Sequence, residues 1–149
     1  MPDLEVHARP SRRAVIALLE AAALPSSDLS DAHMSHFFYA GPADEPLGIV
    51  GIEPCGPDAL LRSLVVRADA RGTGLGSALV AHAESHARSE GISTLYLLTT
   101  TAERFFAARG YVAAERAAAP ATIRDTREFA DICPISSAFM QKCLINVSR

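Results

Sequence analysis

The sequence feature that most limits the possible folds is a glycine-rich loop between an apolar strand and a helix. Residues 71–76 read Arg-Gly-Thr-Gly-Leu-Gly; they follow the apolar run 60–66 and lead into the apolar residues 78–80. Glycine lets the backbone approach a ligand closely and adopt positive φ, so successive N–H groups can converge on one anion. A helix beginning near Gly74 would point its positive end at that anion. The pattern therefore predicts strand, anion-binding loop and helix.

Two other interpretations of the loop agree less well with its sequence. A dinucleotide fingerprint reads Gly-x-Gly-x-x-Gly, whereas the spacing here is Gly-x-Gly-x-Gly after Arg71. No helix, strand and aspartate follow at the distance that such a site requires. A plain turn would not explain why strand, arginine, glycines and amphipathic helix all agree. An anion-binding loop is thus favoured over both.

Composition narrows the function classes. The chain has 149 residues, 49% of them hydrophobic, which suffices for one domain over 1–149 with a buried core. A net charge of −3 without a basic stripe predicts no nucleic-acid partner, and the apolar runs are too short for a membrane span. Three cysteines without Cys-x-x-Cys spacing, and a first segment unlike a signal peptide, predict a reducing cytoplasm.

Hydrophobic periodicity predicts one α/β domain with the order β-α-β-β-β-α-β-α-β-α-β. The apolar run 59–66 indicates a strand buried on both faces at the sheet centre. Ser11 caps the first helix and Pro25 stops it; the second helix spans 75–89 and ends at Gly91. A threonine among 99–101 caps the third helix, which Gly110 terminates, and the fourth covers 123–132. The predicted strands are 4–8, 35–40, 47–53, 59–66, 92–98, 111–115 and 137–144.

The loop spacing and the element order resemble the GNAT acyl-CoA N-acyltransferases over nearly the whole chain. A narrower resemblance, to the bacterial arsenic-resistance N-acetyltransferases, is carried by residues 18–29, 60–64, 97–103, 123–129 and 133–137. That subgroup is in turn similar to amino-acid N-acetyltransferases, whose closing segment has a serine five residues before a lysine, matched by Ser137 and Lys142. The resemblance implies a single-domain GNAT fold: a mixed central sheet of about six to seven strands with helices on both faces.

The resemblance implies an N-acetyltransferase that uses acetyl-CoA as cosubstrate. The acceptor would be the amine of a small, anionic, amino-acid-like molecule, with a link to arsenic resistance or detoxification. A homodimer is left open as the assembly. The alternative is a non-catalytic acyl-CoA-binding or sensing module, because Phe106 stands where many GNAT enzymes have the tyrosine that protonates the leaving thiolate.

The same resemblance assigns the cofactor to one strand, the loop and a short helix. Main-chain groups of Leu64 and Val66 would hold the pantetheine arm, and a backbone N–H assigned to Leu64 would serve the thioester oxygen. N–H groups of the loop would hold the pyrophosphate. The expected cofactor-binding residues are Leu64, Val65, Val66, Arg71, Gly72, Thr73, Gly74, Leu75, Gly76, Ser77, Phe105 and Phe106.

Glu53 is the candidate base and Ser137 a candidate proton donor, with water or the substrate ammonium as the other donors. The alternative for Glu53 is a solvated strand end, because Pro54 would begin a turn. Arg62 lies in an apolar strand, and a buried guanidinium requires an anion. That anion would be the substrate or a structural carboxylate such as Glu53. The expected substrate-binding residues are Arg62, Ser63, Thr99, Arg124, Arg127, Ser136 and Ser137.

Other candidates have a structural alternative. Arg124 and Arg127, named above as substrate-binding residues, could instead belong to a solvated helix face, which is the usual role of such residues on an exposed helix. His82 and His86 are four apart but have no third ligand nearby, so they predict a polar helix surface and no metal. The cysteines, which are Cys55, Cys133 and Cys143, are expected to be isolated buried thiols.

Overall fold

The computed structural model describes residues 5–24, 26–127, 129–130 and 137–144. Its strands are β1 (Val6–Ala8), β2 (Phe37–Ala40), β3 (Gly48–Cys55), β4 (Asp58–Val66), β5 (Thr94–Thr99), β6 (Val112–Ala113) and β7 (Ala138–Cys143). Its helices are α1 (Arg12–Ala21), α2 (Leu75–Ser89), α3 (Glu103–Ala107) and α4 (Ala121–Arg124). The strands form one mixed sheet in the order β1-β2-β3-β4-β5-β7-β6. The predicted α/β class with a sheet of six to seven strands is confirmed.

Residue contacts divide the chain into two units. The first unit comprises the described residues up to Glu53 together with Leu61–His86, and the second comprises Pro54–Leu60 with the described residues from Ala87 onward. In the first unit, β1 pairs with β2 and β2 with β3, both antiparallel. The core of the first unit combines side chains of α1, of the segment after α1 and of β2, β3 and β4. Its buried residues are Val15, Leu19, Leu29, Met34, Phe37, Ile49 and Val65.

The second unit contains the beginning of β4 and the strands β5, β6 and β7. Asp58–Leu60 pairs in parallel with Thr94–Tyr96 in a ladder of three residue pairs. β5 pairs antiparallel with β7 over its whole length, and β7 pairs with β6. The core of this unit contains Leu60, Ala119, Ile123 and Phe139, and the Tyr96 ring stacks on Phe139 with centroids 5.4 Å apart.

The helix boundaries follow the local sequence signals in part. The Ser11 hydroxyl accepts a hydrogen bond from the Ala14 N–H, which confirms it as the cap of α1. This helix ends at Ala21, before Ala23 adopts a positive φ of 58°, so the prediction that Pro25 stops it is wrong. α2 has its predicted bounds, and its predicted inward residues are all buried: Leu75, Leu79, Val80, Ala83 and Ala87. No helix within the described segments is long and apolar enough to cross a membrane.

Other boundaries differ from the prediction. Ser35 lies in a 3-10 helix, Asp31–His36, that precedes β2. β3 continues through Pro54 to Cys55, which leaves a two-residue turn in which Gly56 has a φ of 70°. β6 covers two residues rather than 111–115, and the fourth predicted helix is represented by α4, with part of 123–132 outside the described residues.

Candidate active site

The glycine loop of the first unit has the predicted form. β4 ends at Val66, the 3-10 helix Ala68–Ala70 follows, and α2 begins at Leu75. Gly72 and Gly74 have φ values of 80° and 85°, and a Cβ on either would meet nothing within 4 Å. These positions therefore need glycine for backbone conformation rather than for lack of space. Gly76 instead lies in the first turn of α2.

The first turn of α2 is suited to an anion. Gly74 accepts the first helical hydrogen bond, from Ala78 N at 3.1 Å. The N–H groups at the start of a helix have no partner within the helix, and they carry its partial positive charge. No acidic residue occupies this turn of the described helix. The adjoining residues 71–74 are exposed, so a ligand could reach the turn from solvent.

Two side chains shape the loop from within. The Thr73 hydroxyl donates to the Ala70 carbonyl at 2.6 Å. Arg71 Nε donates to the Val66 carbonyl at 3.3 Å, which ties the loop back to the end of β4. Leu64 and Val66 are half-buried and Val65 is buried in the core of the first unit. The binding of a cofactor by this strand and loop stays a prediction.

Arg62 is the centre of an ion-pair cluster in the first unit. Its guanidinium bonds to both Asp28 carboxylate oxygens, at 2.5 and 2.8 Å, and to Glu53 Oε1 at 3.0 Å. Its Nε donates to the Ser63 hydroxyl at 3.2 Å. The Arg62 and Asp28 side chains are 0% and 4% exposed. The expectation that Arg62 binds a substrate anion is therefore wrong, because internal carboxylates already occupy it, and the structural alternative is confirmed.

Arg62 also sets the ionisation of Asp28. Burial raises the pKa of this carboxyl, but it is outweighed by the hydrogen bond and the charge of Arg62 together with a backbone hydrogen bond and the charge of His33. The pKa of Asp28 consequently lies below its ordinary value. The carboxylates of Asp28 and Glu53 thus both face the guanidinium of Arg62.

Asp28, His33 and Glu53 place ligand atoms within 4.8 Å of one another. Such a group could hold a divalent cation. Here, however, the Arg62 guanidinium bonds to both carboxylates and supplies the positive charge between them. His33 Nδ1 is engaged by Ser30, whose N–H donates to it at 3.1 Å. We therefore interpret the group as an ion-pair cluster rather than a metal centre.

Glu53 is the member of this cluster that reaches solvent, with 22% of its side chain exposed. It lies within β3, because the strand continues past Pro54. The alternative that Glu53 is a solvated strand end is wrong, since its carboxylate is bonded to Arg62. Its role as a base stays a prediction. Ser63 adopts a positive φ of 59° within β4, and its hydroxyl accepts from Arg62.

The remaining predicted substrate residues belong to the second unit. Ser137 is 5% exposed, and its hydroxyl has no hydrogen-bond partner among the described residues, while its carbonyl accepts from Arg116. The Thr99 hydroxyl accepts from Ala102 N, the N-cap residue of α3, at 2.9 Å. Arg124 and Arg127 are exposed, which agrees with a solvated face. Ser136 lies outside the described residues.

The two phenylalanines of α3 have different surroundings. Phe106 is 5% exposed and makes edge contacts with the rings of Phe105 and Tyr111. Phe105 is half-buried, with the Arg109 guanidinium 3.7 Å above its ring. Phe106 is thus a packed ring of its unit, so a contact between this position and the coenzyme stays a prediction. Phe105 offers the more accessible surface.

Other candidates turn out differently from their prediction. His82 and His86 are half-buried, with centroids 4.7 and 4.9 Å from Phe38, so they are packing residues rather than a solvated surface. Cys55 is half-buried and Cys143 exposed, which corrects the expectation of buried thiols; Cys133 lies outside the described residues. Sequence reasoning missed Asp28, which lies in a polar segment without periodicity, 34 residues from its partner Arg62.

The fold is similar to that of solved structures of other proteins. An N-acetylglutamate synthase from Neisseria gonorrhoeae, complexed with coenzyme A and L-arginine, matches 95% of this chain with a TM-score of 0.78 and 24% identity. A protein of Mycobacterium tuberculosis in complex with CoA and NLQ matches 95% of this chain and 99% of its own, with a TM-score of 0.77 and 20% identity.

The chain belongs to the acetyltransferase (GNAT) family, whose model matches residues 5–111. Over 49 residues, 33% of this chain, it is also 45% identical to the amino-acid acetyltransferase of Ralstonia nicotianae. The matched stretch covers 11% of that relative, and this chain spans 33% of the gonococcal synthase. These larger proteins therefore share one region with this chain.

Proposed function

We propose that the protein is an N-acetyltransferase that moves the acetyl group of acetyl-CoA to the amine of a small amino-acid-like molecule. The open loop at the start of α2, with positive φ at Gly72 and Gly74, carries the proposal. It supplies main-chain donors and a helix N-terminus to a pyrophosphate. The family membership and the coenzyme A complexes of the similar structures support the same cosubstrate.

Acetyl-CoA supplies an activated thioester, and the residues of this chain would manage protons and charge. In the reaction the amine nitrogen bonds to the carbonyl carbon and the carbon–sulfur bond breaks. Glu53 accepts the proton that the amine gives up, directly or through water. The backbone N–H assigned to Leu64 stabilises the negative charge that develops on the carbonyl oxygen. Ser137 donates a proton to the departing sulfur, with water and the substrate ammonium as the alternative donors.

The ladder between β4 and β5 supports the main-chain part of this assignment. It ends at Leu60 and Tyr96 after three residue pairs. Leu64 and Val66 lie beyond that point on β4, where a pantetheine arm could take up backbone hydrogen bonds.

An amino-acid-like acceptor is supported by the similarity to an amino-acid acetyltransferase and to an N-acetylglutamate synthase. Because Arg62 is occupied, recognition of an anionic group on the substrate would fall to the exposed Arg124 and Arg127. We further propose membership of the arsenic-resistance subgroup, on the residue resemblance given above, and action in the cytoplasm. Expression in an arsenic-sensitive bacterial strain tests the subgroup. We expect the wild-type protein to confer arsenic resistance and the Glu53→Gln variant not to confer it.

A thiol-release assay tests the activity. The protein is mixed with acetyl-CoA and a panel of amino acids, each paired with its neutral amide, and Glu53→Gln serves as the impaired control. We expect turnover with amino acids, less with the amides, and a loss of rate in the variant. Coenzyme A binding without turnover on any amine would favour the alternative, a sensing module, for which the buried Phe106 in place of a tyrosine is the supporting observation.

A further inference from the structure

The bonds of Arg62 to its two carboxylates are unequal. The two terminal nitrogens both bond to Asp28, Nη1 at 2.5 Å and Nη2 at 2.8 Å, whereas the bond from Nη1 to Glu53 Oε1 is longer, at 3.0 Å. A guanidinium is a rigid planar fork, so a bidentate partner fixes its orientation as well as its position. Nη1 is the atom shared by both carboxylates. The placement of the Glu53 contact is therefore set by Asp28.

Asp28 is itself held by a short structured segment. The Leu29 N–H donates to the Ser26 carbonyl at 3.2 Å, and Ser30 and His33 form a reciprocal cap at the start of the 3-10 helix Asp31–His36. Leu29 is 7% exposed and packs in the core of the first unit. The cluster thus joins this segment to β3 and β4 at buried side chains.

The charges of the cluster indicate what it can bind. Two carboxylates share one guanidinium, and Glu53 is the more exposed of the two. A substrate carboxylate at Arg62 would have to displace Asp28 or Glu53 and leave a buried charge uncompensated, which is strongly unfavourable. An ammonium group beside Glu53 would instead be attracted by the negative charge of its carboxylate.

We propose that Asp28 and Arg62 are positioning residues that fix the Glu53 carboxylate for the amine end of the substrate. The inference rests on the proposed acetyltransferase function and deepens it. The cluster recognises the ammonium group, and Asp28 acts on the reaction only through Arg62 and Glu53.

Asp28→Asn is the principal test, because it keeps the shape of the side chain and removes one charge and the paired acceptor. We expect kcat for acetylation to fall roughly 10- to 100-fold, since a displaced catalytic group costs about that much. The KM for acetyl-CoA should not change, since the loop binds it. Asp31→Asn is the matched control: Asp31 lies in the same segment, is 87% exposed and pairs with Arg12 at 3.3 Å, so its kcat should equal that of wild type.

Conservative variants separate positioning from folding. Arg62→Lys keeps the charge but has no planar fork, so it should lower kcat as Asp28→Asn does. Asp28→Glu keeps charge and both acceptors and should recover part of the lost kcat. All rates are measured well below the melting temperature of each variant. If Asp28→Asn fails to fold, the kcat values of Arg62→Lys and Asp28→Glu are compared with wild type instead.

The outcomes distinguish the two proposals. A wild-type kcat in folded Asp28→Asn or Arg62→Lys, with only the melting temperature lowered, would show a purely structural cluster and overturn the inference while the acetyltransferase function stands. Full activity in Glu53→Gln would overturn the inference too. A wild-type protein inactive on every amine would overturn the proposed function and the inference with it.

Discussion

Replacing Arg62 with methionine tests the ion-pair cluster, since methionine keeps an unbranched side chain and removes the charge. Asp28 and Glu53, with side chains 4% and 22% exposed, would lose their counter-charge. Removing one partner of a buried pair costs about 3–5 kcal/mol, because the remaining charge is uncompensated. We expect the free energy of unfolding at neutral pH to fall by about that amount, with Asp28 responsible for most of it.

The pH dependence makes this prediction sharper. In wild type the pKa of Asp28 lies below the ordinary 3.8, because burial is outweighed by Arg62 together with a backbone hydrogen bond and His33. This carboxylate therefore stabilises the fold fully above pH 3.8, and its contribution is lost as the pH falls further through the folded pKa. Without Arg62, burial is opposed only by a backbone hydrogen bond and His33, so the folded pKa of Asp28 rises from its wild-type value, and the stability deficit of the variant should shrink as the pH falls from neutral towards 3.8.

Urea unfolding at neutral pH and at about pH 5 measures both effects. The control is Arg12→Met, which removes an exposed pair with Asp31 and should cost about 1 kcal/mol or less at either pH. Adding Asp28→Asn to Arg62→Met should restore part of the lost stability, because the uncompensated charge is gone. An Arg62→Met deficit that is small, or that does not shrink on acidification, would refute the assignment of Arg62 as the counter-charge of a buried carboxylate.

Three further substitutions address the loop, the proton donor and the core. Gly74→Val should weaken coenzyme A binding roughly 10- to 100-fold by calorimetry, because a strained loop loses its N–H contacts; Gly56→Val, also at positive φ with open space around its Cβ, is the control and should bind normally. Ser137→Ala should leave the urea midpoint unchanged or higher, since its hydroxyl has no partner among the described residues, yet slow acetyl transfer roughly 100-fold; an unchanged rate would remove Ser137 from the mechanism. Gly51→Ala should lower the free energy of unfolding by about 1–3 kcal/mol, because its Cβ would lie 2.3 Å by geometry from ring atoms of the buried Phe37; a wild-type midpoint would mean that the ring moves aside without cost.

The sequence predicts the central strand, the loop and the long helix well, because their signals are local. α2 has apolar residues at helical spacing and a glycine after its end, and β4 is apolar at most of its positions. The positive φ of Gly72 and Gly74 likewise follows from residue type. The bounds of other strands are predicted less well. β6 has only two residues, and β3 continues through Pro54, a residue type that predicts a turn.

The partners of charged and aromatic side chains could not be predicted, because they depend on tertiary packing. Arg62 in an apolar strand requires an anion, yet the sequence does not say that Asp28 supplies it from a polar segment between helices. His82 and His86 read as a polar helix face until Phe38 of β2 packs against both rings. Neither contact can be predicted from the local hydrophobic periodicity.

The most direct test of the proposed function is to follow the acetyl group itself. The protein is incubated with isotopically labelled acetyl-CoA and the amino acid that gives the highest thiol release, and the product is identified by mass spectrometry. We predict one labelled acetyl group on the amine nitrogen, in an amount equal to the thiol released, with much less product from Glu53→Gln. Thiol release without a labelled amine, or coenzyme binding without either, would contradict the assignment of this protein as an N-acetyltransferase.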